Sequence, residues 1–100
     1  MPQTRFEWDE AKNEANERKH GVCFEQAVQA FGDPAGISFK DRFEGGEERW
    51  KTLGIVDDLL LLLLVAHTVN HQDPEEEVIR IISAREASRA ERRLYEEENG

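Results

Sequence analysis

DDLLLLLLVAHT, residues 57–68, is the stretch on which the fold turns. Eight apolar residues stand in a row from Leu59 to Ala66, as in part of a membrane span or a strand buried on both faces. A span needs about 20 such residues. This run stops less than halfway, with Asp57-Asp58 before it and His67-Thr68 after it. It reads as a core strand over Leu59 to Thr68, placed at the centre of a sheet because only a central strand is covered on both sides. No membrane association is expected.

Working outward, Asp57-Asp58 reads as a tight hairpin turn back to an alternating strand, Arg49 to Val56. Trp50, Thr52 and Gly54 mark one face of that strand, and Arg49, Lys51, Leu53 and Ile55 mark the other. Gly36 to Asp41 alternates Ile37 and Phe39 with Ser38 and Lys40, and the Gly- and Glu-rich Phe43 to Glu47 reads as a turn or mobile loop. On the other side, acidic Gln72 to Glu77 turns the chain into a last strand, Val78 to Ile82. Arg5 to Trp8 reads as a short first strand.

Helices fill the ends. Asp9 is an N-cap and Gly21 a left-handed stop, which bounds a first helix. Its apolar content is only Ala11 and Ala15, while Lys12, Asn16, Lys19 and His20 line one side. A second helix, from Cys23 or Phe24 to Phe31, places Phe24, Ala27, Val28 and Phe31 on one stripe. The last helix is expected to open at Ser83-Ala84-Arg85-Glu86, an S-x-x-E capping box, with Ala87, Ala90 and Leu94 facing inward. The resulting order is β-α-α-β-β-β-β-α. The expected class is α+β, with a mostly antiparallel sheet and the helices packed on one face.

One hundred residues make one domain, 1–100. Cys23 is the single cysteine, so no internal disulfide forms, and Met1 to Arg5 lacks the apolar stretch of a secretory signal. The expected location is cytoplasmic. A net charge of −9 opposes long-range attraction to nucleic acid and leaves only a local cationic patch for that role. Arg80, Arg85, Arg89, Arg92 and Arg93, set against only Glu86 and Glu91 between Arg80 and Arg93, supply one.

Five blocks carry a resemblance: F-E-W-D-x-x-K from Phe6, K-H-G-V-x-F-E-x-A from Lys19, G-E-E-R-W from Gly46, V-x-H-T from Val65, and I-R-I-I-S-A-R-x-A-x-x-x-E-R-R-x-Y from Ile79 to Tyr95. In this order and spacing the chain resembles the BrnT family of ribonuclease toxins of type II toxin–antitoxin systems. The resemblance implies a RelE-like fold, RNA cleavage without metal or other cofactor, and inhibition of translation. It also implies neutralisation by a BrnA-like antitoxin with a ribbon-helix-helix domain, DNA being contacted only through that antitoxin.

Cleavage of this kind uses the ribose 2′-hydroxyl as nucleophile. It requires groups that move two protons and cations that hold the phosphate. His67 lies near the end of the leucine strand, either as an active-site imidazole or as a cap on the sheet edge. Arg80 stands between Ile79 and Ile81, as a phosphate clamp or as half of a buried ion pair. Glu48 and Arg49 begin the strand whose hairpin pairing brings its end near His67, which makes His67, Arg80, Glu48 and Arg49 the expected catalytic group. A one-residue slip in that register reverses the faces.

For substrate binding, Arg85 is expected in the first turn of the last helix, where a cation makes sense beside a bound anion, the alternative being a salt bridge to Glu86 or a neighbouring loop. Arg89 extends its stripe, and Lys12 and His20 line an RNA or antitoxin contact on the first helix. His67 and His71, with Asp73 near, do not form a convincing metal site, since their spacing spans a strand end and a loop. A non-catalytic module acting as co-repressor beside a DNA-binding antitoxin is the alternative function, and a homodimer covering the leucine strand stays open.

Overall fold

The computed structural model describes residues 3–99. The elements run β1 Gln3–Glu7, α1 Glu10–His20, α2 Phe24–Ala27, a 3-10 turn Val28–Gly32, β2 Ile37–Glu44, β3 Glu47–Val56, β4 Leu61–Asp73, β5 Glu76–Glu86 and α3 Arg89–Asn99. They build one five-stranded sheet in the order β1-β5-β4-β3-β2. β1 joins β5 in parallel, and the other neighbours are antiparallel.

The leucine strand sits in the middle, and alternation sends its apolar side chains both ways. Leu63 and Val65 join Val56, Ile81, Ala84, Phe24, Ala27 and Ala30 on the face covered by α2 and the 3-10 turn. Gly54 lies on this face, and there the backbone of Ala30 comes so close that a Cβ would stand 2.1 Å from the Ala30 carbonyl oxygen. Leu62 and Leu64 point to the other face with Leu53, flanked by Ile37 and Phe39 of β2 and packed against Ala87 and against Tyr95 of α3. The helices therefore occupy both faces, which corrects the expectation of a single covered face. A strand that is apolar on both sides needs a cover on each.

The end of the chain departs from its expected boundaries for a related reason. Ser83 to Glu86 do not open a helix; they continue β5, paired with Ala66, Val65, Leu64 and Leu63. A cap is worth about 1 kcal/mol, less than the backbone pairing and burial that this segment gains from the central strand. The helix opens five residues later on a second S-x-x-E box. There the Ser88 hydroxyl accepts from the Glu91 N–H at 3.2 Å, and the Glu91 carboxylate accepts from the Ser88 N–H at 2.8 Å.

Helix α1 shows how a helix without an apolar face is held. Asp9 accepts from the Lys12 N–H, and Gly21 closes the helix at φ 73°. The side chains that α1 buries are two asparagines, Asn13 and Asn16. The pairing of β1 with β5 ends at Glu7 opposite Arg80, so the outer edge of β5 is open beyond that point. Asn16 fills it as a strand would: its Oδ1 accepts from the Ala84 N–H at 3.1 Å, and its Nδ2 donates to the Ala84 and Val22 carbonyls at 2.8 and 2.9 Å. Asn13 Oδ1 accepts from the Phe24 N–H at 2.7 Å, while its Nδ2 donates to Glu25 and Glu10. Polar side chains replace apolar packing because each one satisfies a buried backbone group.

Candidate active site

Residues directly opposite one another on neighbouring strands share a face. Arg42 pairs with Arg49, Arg49 with Thr68, Thr68 with Arg80, and Arg80 with Glu7. These five residues form one row across the entire sheet, on the same face as Leu53, Leu62 and Leu64 but at the end that α3 does not cover. Two strand spacings, about 10 Å, separate the backbones of Arg49 and Arg80, with Thr68, 4% exposed, between them.

Two irregularities assemble this face. An extra residue at Asp41, between Lys40 and Arg42, shifts the β2–β3 register. Without it Arg42 would alternate onto the α2 face. An extra residue at Ile82 shifts the β4–β5 register between Ala66 and His67. Five positions apart, Arg80 and Arg85 would lie on opposite faces of a regular strand; the bulge puts both on one. Bulges next to functional sites commonly re-aim a side chain in this way.

The charges on the row are unequal. Arg80 donates to Glu47 at 2.6 Å, with side chains 44% and 42% exposed, a pair too solvated to contribute much stability. Arg42 pairs with Glu44, and Lys51 of the next row with Asp41. Arg49 is different. It makes no carboxylate pair among the described residues, and its Nε is buried without a hydrogen-bond partner. A buried, unsatisfied guanidinium nitrogen is costly, and an anion could satisfy it once the side chain turns that nitrogen outward.

The expected catalytic group is divided by the sheet. Arg49 and Arg80 share the row, but Glu48 is one residue out of phase with Arg49 and pairs with Lys40 at the other side. His67 stands opposite Trp50, not Arg49. It points into the α2 face, is 2% exposed, and lies edge-on to Phe31 with centroids 4.9 Å apart. A single pocket uniting His67 with Arg80 is thus corrected: strand alternation puts the two on opposite sides. His67 Nδ1 lies 3.2 Å from the Thr68 carbonyl, which can only accept. Nε2 lies 2.8 Å from the Thr52 hydroxyl, itself 2.7 Å from that of Ser38. A neutral ring protonated on Nδ1 fits all these contacts.

Burial pushes the His67 pKa below its ordinary 6.5, against a smaller upward pull from the Thr68 carbonyl. The unfolded chain therefore takes up this proton more readily than the native protein does. The stabilisation is complete above pH 6.5 and is lost as pH falls through the lowered native value. Urea unfolding midpoints should decline below pH 6.5, and the decline should be shallower in His67→Gln. Identical slopes in the two proteins would contradict this.

The expected substrate residues are also dispersed. Arg85 belongs to β5, not to a helix N-terminus. Its two terminal nitrogens donate to the two Glu91 oxygens at 2.8 and 2.9 Å. That pairing raises the Arg85 pKa and, with the two Ser88 hydrogen bonds, holds Glu91 down at about 2. Arg85 fastens α3 to the sheet. Arg89 is exposed as the first residue of α3. Lys12 and His20 are exposed on α1, which packs beside β5 and α2, away from the arginine row. Sequence reasoning passed over Arg42, Thr68 and Glu7 of the row, and Glu47, which contacts it through Arg80. Glu47 was available from alternation, since it is in phase with Arg49.

The model of a family described as ribonuclease toxin, BrnT, of type II toxin–antitoxin system matches residues 8–91. The match takes in every member of the row except Glu7. A comparison with curated proteins gave no match.

Proposed function

The chain belongs to the BrnT family of ribonuclease toxins of type II toxin–antitoxin systems, and from that premise we propose that it is an endoribonuclease whose working surface is the arginine row. The observation that carries this reading is Arg49, a cation with a buried, unpartnered Nε beside Thr68 and Arg80. Arg49 and Arg80 grip one phosphodiester, with guanidinium groups suited to bidentate contact. Arg42 extends the grip along the row.

Glu47 supplies the proton acceptor. In the free protein it is held by Arg80; a phosphate that takes over Arg80 releases the carboxylate beside the reacting ribose. Glu47 then accepts the 2′-hydroxyl proton as the 2′-oxygen attacks phosphorus. The bond from phosphorus to the 5′-oxygen breaks, and water protonates that leaving oxygen. The products are a 2′,3′-cyclic phosphate and a 5′-hydroxyl, and the arginines stabilise the charge that builds on the phosphoryl oxygens. No metal enters this scheme.

Family membership supports the rest of the proposal. RNA cleavage stops translation in the cytoplasm. The antitoxin partner that a type II family implies is of the BrnA type, bearing a ribbon-helix-helix domain that contacts DNA, and the fold is RelE-like. A second reading, a non-catalytic co-repressor module, draws on one observation: none of the three histidines shares the face of the row. Incubating the purified chain with structured RNA in EDTA separates the two. Cleavage with cyclic-phosphate ends supports the enzyme, and intact RNA with well-folded protein supports the module.

A further inference from the structure

Six leucines run from Leu59 to Leu64, and one of them does not join the core. Leu60 is 87% exposed at the tip of the β3–β4 hairpin, whereas Leu59 beside it packs against the core. Leu60 is also the one non-glycine residue at positive φ, 55°, among the described residues. That conformation is strained for a bulky side chain and is ordinarily given to Gly or Asn. The turn is held in place rather than loose: the Leu59 and Leu60 N–H groups donate to Val56 and Asp57, and Asp58 accepts from Gln29 at 2.9 Å. Ile55, near the same hairpin end, is 40% exposed. A residue that fits neither its backbone nor the solvent is a candidate for use in a complex.

We infer that the hairpin tip is a docking knob for a polypeptide partner, with Leu60 inserting into an apolar pocket whose rim is cationic. Asp57 and Asp58, exposed beside it, repel phosphate, which excludes RNA as the occupant. A second copy would bring the same carboxylates and another −9 of net charge against them. The occupant is then the antitoxin that family membership supplies. The tip lies at the opposite end of β3 from Arg49, about seven residues or 23 Å away at strand rise. The docking knob and the arginine row are therefore separate surfaces, and the inference rests on the antitoxin partner but not on the ribonuclease reading.

Titrating purified Leu60→Gly and Leu60→Glu with the chain's own antitoxin tests this. Glycine accepts φ 55° without strain, so the glycine variant should melt no lower than the parent chain and bind the antitoxin at least about tenfold more weakly, as expected for a buried anchor. The glutamate variant should bind more weakly still. RNA cleavage by both variants in the absence of antitoxin should match that of the parent chain. Antitoxin affinities within twofold of the parent for both variants would overturn the inference. Loss of RNA cleavage in the parent chain itself would count against the arginine row and leave this comparison intact.

Discussion

Replacing Arg49 and Arg80 together by alanine should reduce RNA cleavage about 1,000-fold or more while leaving the melting temperature within a few degrees of the parent. The size follows from the charge that develops on the phosphoryl oxygens, where a single well-placed donor is typically worth a factor of about 100 to 1,000. The two guanidinium groups act on the same phosphate, so their losses should not multiply in full. Stability should change little because Arg80 makes only an exposed pair with Glu47, and Arg49 carries an unsatisfied buried nitrogen. Removing Arg49 relieves that cost. Arg49→Lys should recover part of the activity at best, since an ammonium cannot reproduce the planar fork. A double variant that cuts RNA as fast as the parent would remove the row from the mechanism.

The largest expected effect on stability belongs to Asn16, a residue with no part in that chemistry. Asn16→Ala strips partners from the Ala84 N–H and from the Ala84 and Val22 carbonyls, all at a buried site. Each buried group left unsatisfied costs about 1–3 kcal/mol, and a total near 3 kcal/mol allows for water reaching some of them. For a domain of this size that lowers the melting temperature by about 12–24 °C. Asn16→Leu should be as harmful, although leucine favours helix and is more apolar, because it also leaves the edge of β5 unpaired. Thermal unfolding followed by circular dichroism measures both. A leucine variant more stable than the parent would show that α1 is held by its apolar contacts after all.

Much of the frame was legible in the letters. Asp9 and Gly21 bound α1 because caps depend on local chemistry alone, and the leucine run reads as a central strand because its length excludes a span. The alternation of Trp50, Thr52 and Gly54 against Arg49, Lys51 and Leu53 is the alternation the sheet displays. The start of the last helix was misplaced for a physical reason: Ser83 and Ser88 offer the same local cap, only the first was recognised, and pairing with residues some 20 positions earlier decides between them.

The geometry of the candidate site was half legible. Arg49 and Arg80 share a face. The two-residue period of a strand sends Glu48 to the other face and puts Glu47 in phase with Arg49. The bulges at Asp41 and Ile82 were out of reach, because one extra residue in one strand leaves no local mark and yet decides which face receives Arg42 and Arg85. The placement of His67 was not legible, because its burial and its bonds to Thr52 and the Thr68 carbonyl depend on the whole fold.

On the proposed mechanism, RNA cleavage by this chain runs on the arginine face and not through the buried imidazole. Comparing His67→Gln with the Arg49→Ala/Arg80→Ala double variant tests it most directly, at pH 7.5 in EDTA, on protein shown to be folded. The glutamine variant should cut RNA within a few-fold of the parent, and the double variant should be inactive. An inactive glutamine variant beside an active double variant would contradict it.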